Sequence, residues 1–77
     1  MISRAVEVNM KVYNSNNTGF AEKRGETVNI KFTGINTSLE VIGETFNMKT
    51  SPIKNVEIRN GLMTFETESG SYYSFEI

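Results

Sequence analysis

Cysteine, histidine, aspartate and tryptophan are all absent from this 77-residue sequence, and proline occurs once, as Pro52. Without cysteine there is no disulfide and no thiolate metal site. With histidine and aspartate missing too, a structural zinc site or an EF-hand loses most of its usual ligands, so neither metal nor cofactor is expected. No apolar run is long enough for a membrane span or a signal-peptide core. The cytoplasm is the expected compartment, and the first Met is taken to mean no cleaved leader. Neither charge sign dominates: eight Lys and Arg stand against nine Glu, for a net charge of −1. The excess is basic up to Ser38 (Arg4, Lys11, Lys23, Arg24 and Lys31 against three Glu) and acidic beyond it. A nucleic-acid binder normally carries a much stronger basic stripe.

A chain of this length is one domain, residues 1–77, near the size at which folding buries only about 60% of the unfolded surface. Small domains are commonly stapled by disulfides, a metal or a partner subunit. Only the last is open to this sequence, as an alternative to a well-packed monomer.

Helical periodicity is absent, and period-two alternation punctuated by Gly, Asn and Ser takes its place. From Ala5 to Tyr13, Val6, Val8, Met10 and Val12 fall on one face and Glu7, Asn9 and Lys11 on the other. Asn14 to Asn17 form a polar turn, because Asn tolerates left-handed backbone and closes turns with its side chain. Thr18–Glu22 is expected as a second strand. Lys23-Arg24-Gly25 would be a three-residue hairpin loop leading into a third strand, Glu26–Thr33, with Phe20 opposite Val28. Gly34 to Thr37 is a turn. Ser38–Lys49 is expected as a hairpin about Gly43-Glu44, pairing Ile42 with Thr45 and Val41 with Phe46; the alternative is one long strand bent at a Gly43 bulge. Ser51-Pro52 is expected to end pairing, since Pro has no N–H to donate.

The last third carries the strongest signals. Asn60-Gly61 between two alternating runs predicts a tight hairpin with Arg59 opposite Leu62 and Val56 opposite Phe65. Glu68-Ser69-Gly70 predicts a second, with Phe65 opposite Tyr73. One face of this meander then holds Val56, Ile58, Met63, Phe65, Tyr73, Phe75 and Ile77. The other holds Glu57, Leu62, Thr64, Glu66, Tyr72, Ser74 and Glu76. A slip of one residue would send half the apolar set to water. The fold class is therefore all-β: a small antiparallel meander of about seven or eight short strands, closed as a barrel or a two-layer sandwich.

Catalytic chemistry has little to work with. Glu57, Glu66 and Glu76 share a face, but exposed Glu is the ordinary state of that residue. No Gly-rich phosphate loop occurs. A non-enzymatic binding protein is expected, most of all a protein–protein interaction module, self-association included. Tyr72 and Leu62 on a charged face, rimmed by Arg59, are the candidate contact residues. The alternative is a single-stranded nucleic-acid-binding small barrel of OB or SH3-like type, with Lys11, Lys23, Arg24 and Lys31 on one face.

The run Val28-Asn29-Ile30-Lys31-Phe32-Thr33-Gly34 followed by Leu39-Glu40-Val41-Ile42-Gly43 resembles the strand-turn-strand opening of Sm-like barrels. The Asp and Asn that mark that motif's next strand are not in place and no N-terminal helix is readable, so the chain is not assigned to that family. Length, Asn content and lack of motifs suit an accessory or inhibitor protein of a phage or plasmid.

Overall fold

A computed structural model describes residues 6–77. Arg4 and Ala5, counted above among the early charges and at the start of the first strand, lie outside the described residues. The elements are β1 (Val6–Ser15), α1 (Thr18–Ala21), β2 (Thr27–Phe32), β3 (Ser38–Ile42), β4 (Asn47–Arg59), β5 (Leu62–Thr67) and β6 (Tyr72–Glu76). Each strand pairs antiparallel with the next, and β1 also pairs with β6, so one sheet closes into a ring. The all-β fold class holds, with six strands among the described residues rather than seven or eight.

Two strands of the expected count disappear for physical reasons. Thr18–Glu22 is not a strand: Thr18–Ala21 is a single helical turn capped by Asn17, whose side chain accepts a hydrogen bond from the Phe20 N–H at 3.2 Å. The Asn17 N–H is held in turn by the Ser15 hydroxyl at 2.9 Å. The polar run read as a turn therefore works as a helix cap. Lys23-Arg24-Gly25 accordingly joins α1 to β2, and the Gly25 N–H donates to the Val12 carbonyl at 2.8 Å. Gly25 does take left-handed backbone, with φ of 88°.

Pro52 does not end pairing either. β4 runs through it because the strand changes partner there, from β3 (Ser38 opposite Pro52) to β5 (Ile53 opposite Thr67). A residue without an N–H is tolerated where the ladder passes from one edge to the other.

Ser38–Lys49 is a hairpin, as favoured above, but two residues out of the expected register: Ile42 faces Asn47 and Val41 faces Met48. A two-residue shift keeps every side chain on its expected face. Gly43 serves a different purpose from the one assigned to it. It has no left-handed φ; instead the Phe46 ring lies over it, where a Cβ would collide with the ring.

Both glycine-bearing turns of the last meander hold as predicted. Asn60 and Gly61 have φ of 53° and 76°, Gly70 has φ of 89°, and the Arg59/Leu62, Val56/Phe65, Phe65/Tyr73 and Met63/Phe75 pairs all form.

The core consists of Met10, Val12, Phe20, Val28, Ile30, Leu39, Val41, Ile53, Phe65, Tyr73 and Phe75. Edge-to-face aromatic contacts run through it: Phe20 meets Tyr73 at 5.0 Å and Phe75 at 5.7 Å, Phe75 meets Phe65 at 5.8 Å, and Phe65 meets Phe32 at 5.1 Å. Such contacts each add about 0.5–1.5 kcal/mol beyond their burial. Phe20 is buried although α1 is one turn long, so it acts as a plug for one end of the ring.

The inward rows are longer than the enclosed interior. Val6, Val8 and Ile77 share the parity of the core residues of β1 and β6, and Ile58 that of half-buried Val56 beyond the register shift in β4, yet they are 61%, 41%, 70% and 64% exposed. The expectation that all of them are buried is corrected by the stagger of the ring. β1 pairs with β2 over Val6–Lys11 but with β6 over Lys11–Ser15, so strand ends project past their neighbours.

The plug makes a clear prediction. Phe20→Ala should destabilise the fold by about 3–5 kcal/mol, the usual range for emptying a buried Phe site. Denaturant unfolding would show it as a lower midpoint.

Candidate functional site

The outer face of β5 and β6 carries two of the predicted contact residues, at opposite ends. Leu62 faces Arg59 on β4 and Glu76 on β6, whereas Tyr72 faces Glu66. Four residues of strand separate Leu62 from Glu66, about 13 Å at the usual rise. The middle of the face is taken by a Thr64–Ser74 hydroxyl pair at 2.8 Å. The structure thus brings Leu62 and Arg59 together and leaves Tyr72 apart.

Tyr72 is part of a seam. Its N–H donates to the Asn16 side chain at 3.0 Å and its carbonyl accepts from the Ser15 hydroxyl at 2.6 Å. Its hydroxyl accepts from the Asn14 amide at 3.4 Å. These bonds fasten β6 to the end of β1. Arg59 pairs with Glu57 at 3.0 Å with both side chains largely in water, an arrangement that contributes about 0–1 kcal/mol. Glu57, Glu66 and Glu76 face Thr64, Tyr72 and Leu62 across the strands, so no two of these carboxylates are directly opposed.

The four basic candidates are dispersed. Lys11 lies between Thr27 and Glu76, and Lys31 between Glu7 and Glu40. Lys23 sits 5.1 Å from the Phe46 ring and Arg24 sits 4.8 Å from the Tyr13 ring, both as cation–π contacts. The Tyr13–Arg24 stack joins a half-buried aromatic of β1 to a cation of that set. The two strand lysines of the set each have a glutamate opposite, Glu76 for Lys11 and Glu7 and Glu40 for Lys31.

A feature absent from the sequence reading is the end of the ring opposite Phe20. Val6, Val8, Ile58 and Ile77 are exposed there, and Phe32, Val56 and Met63 are half-buried beside them. Alternation placed all seven on the inward rows; nothing in the sequence marks where enclosure stops. A notch of about 550 Å³, of which Ile77 alone among these is a lining residue, opens between Asn9, Met10 and Lys11 on one side and Gly61, Leu62 and Ile77 on the other. At the plugged end a smaller apolar hollow of about 270 Å³ lies between Phe20, Lys23, Phe46 and Met48.

Among the described residues no cluster of His, Cys, Asp or Glu could hold a metal ion, and no helix is long and apolar enough to cross a membrane. No family model matches the chain, and neither a curated protein nor a solved structure matches it.

The interleaving of charge sets an expectation for the basic residues. The protein should elute unretained from heparin and from immobilised single-stranded DNA even at low salt, where phosphate contacts are strongest. Retention that falls steeply with added salt would reverse this.

Proposed function

We propose that this chain is a non-enzymatic protein-binding module that docks through the open, apolar end of its ring. One observation carries the reading: the inward apolar rows continue past the enclosed core and remain uncovered at that end, while the other end is closed by Phe20. The reading rests on Val6, Val8, Ile58 and Ile77, the exposed residues of these rows; apolar surface gathered on a small domain is a common mark of an interaction site. Polar and charged residues, among them Glu7, Asn9, Glu57 and Arg59, stand on the outward rows of the same strands. An apolar centre with a polar rim is the usual anatomy of an interface.

Leu62 and Arg59 belong to this reading as part of its rim, since they flank the Asn60–Gly61 turn beside the notch. Tyr72 has a structural part to play instead, in the seam with β1.

Site-specific photo-crosslinking in the cell that makes the protein tests the proposal. An Ile58→benzoylphenylalanine variant should give a discrete protein adduct, and a Thr45→benzoylphenylalanine variant, at the β3–β4 turn, should give none. No adduct at position 58 from folded protein would defeat the reading.

A further inference from the structure

We propose that the occupant of the open end is a second copy of this chain, paired antiparallel through the β1 edge with Val8 opposite Val8 about a two-fold axis. The inference rests on the open end being a docking surface. β1 pairs with β2 along the whole of Val6–Lys11, but β6 reaches it only from Lys11 onward. Among the described residues no strand pairs with the other edge of Val6–Met10. Asn9 and Met10 of that edge line the 550 Å³ notch together with Glu76 and Ile77 of the β6 end. An unpaired edge of this kind is a template for strand addition.

The sequence of the edge selects one register. Directly opposed residues in an antiparallel pair point to the same side, so only like-faced residues can pair without turning apolar groups outward. A register centred on Glu7 sets two carboxylates against each other, which is unfavourable. One centred on Asn9 requires Lys11, whose edge already holds Glu76 of β6. A register centred on Val8 uses only Val6–Met10. It sets Val6 against Met10 and Glu7 against Asn9, with no like charges opposed and the apolar side chains on a shared face. The edge is thus self-complementary, as an isologous two-fold contact demands. Exposed Val6 and Val8 would become interior to a sheet running through both rings. A subunit contact would also supply the staple that a chain of this size without cysteine lacks.

Charge exchange at Val8 tests this. Light scattering after size exclusion should give the mass of two chains for the parent. Val8→Lys alone and Val8→Glu alone should each give one chain, because the substituted residue meets its own copy. An equimolar mixture should recover a heterodimer, identified by native mass spectrometry. A parent that stays a single chain at every soluble concentration, or a Val8→Lys variant that still pairs, overturns the inference. If either variant fails to fold by circular dichroism, amide exchange of the unaltered chain decides. Protection of Val6–Met10 that grows with concentration supports pairing, and protection independent of concentration refutes it. A single-chain parent whose Ile58→benzoylphenylalanine variant still captures another protein would sink self-pairing and leave the docking surface standing.

Discussion

The pairing of β1 with β6 is the contact on which the rest of the molecule depends. It turns a linear meander into a ring and so gives the apolar face an inside. β1 can hold two partners because its pairing is divided at Lys11, and because the register shifts between Val12 and Asn14. That irregularity leaves Tyr13 and Asn14 together on the outer side and returns Ser15 to the interior, where it is buried. The Ser15 hydroxyl then bonds the Tyr72 carbonyl, and Asn16 bonds the Tyr72 N–H. A β-bulge at a barrel rim commonly re-aims side chains in this way. Here it also delivers the chain into the Asn17 cap and drives Phe20 over the end of the core.

How much of this could be read from the sequence varies with how local the determinant is. The Asn60-Gly61 and Glu68-Ser69-Gly70 turns fix the β4–β5 and β5–β6 registers within a few residues, and both are legible. Gly43 was harder, because its requirement comes from the Phe46 ring folding over it and not from its own φ. The resulting hairpin differs by two residues while its faces stay the same. Thr18–Ala21 is too short for any periodicity to separate strand from helix; Asn17 as a cap was the available signal, hidden in a run that also reads as a turn. Pro52 misleads because a missing N–H blocks pairing only where a partner is present to accept from it, and β4 changes partner at that point.

The candidate surface was legible in its parts and not as a site. Alternation correctly puts Val6, Val8, Ile58 and Ile77 on the inward rows with the core residues. Whether an inward residue is enclosed depends on how far neighbouring strands are offset, and that offset is a property of the closed ring. The same global geometry separates Tyr72 from Leu62, which share a face but lie at its two ends. It also places Lys11 and Lys31 beside glutamates contributed by strands that are distant in sequence.

Strand propensity alone does not account for the apolar character of the open end. β-branched residues are favoured in strands wherever they point, which would explain Val6, Val8 and Ile58 if nothing else were required of those positions. The outward positions between them are under the same backbone constraint, yet they hold Glu7, Asn9, Glu57 and Arg59. The two sides of one strand therefore obey different rules as far as its exposed end. Propensity cannot distinguish sides; only burial can. An uncovered ring would be better served by a charge at Val8 or Ile58, since inward-pointing charges are a common means of blunting an exposed edge. Keeping the rows apolar past the limit of the core leaves, among the described residues, an unpaired stretch of β1 and exposed apolar side chains that the fold itself does not cover.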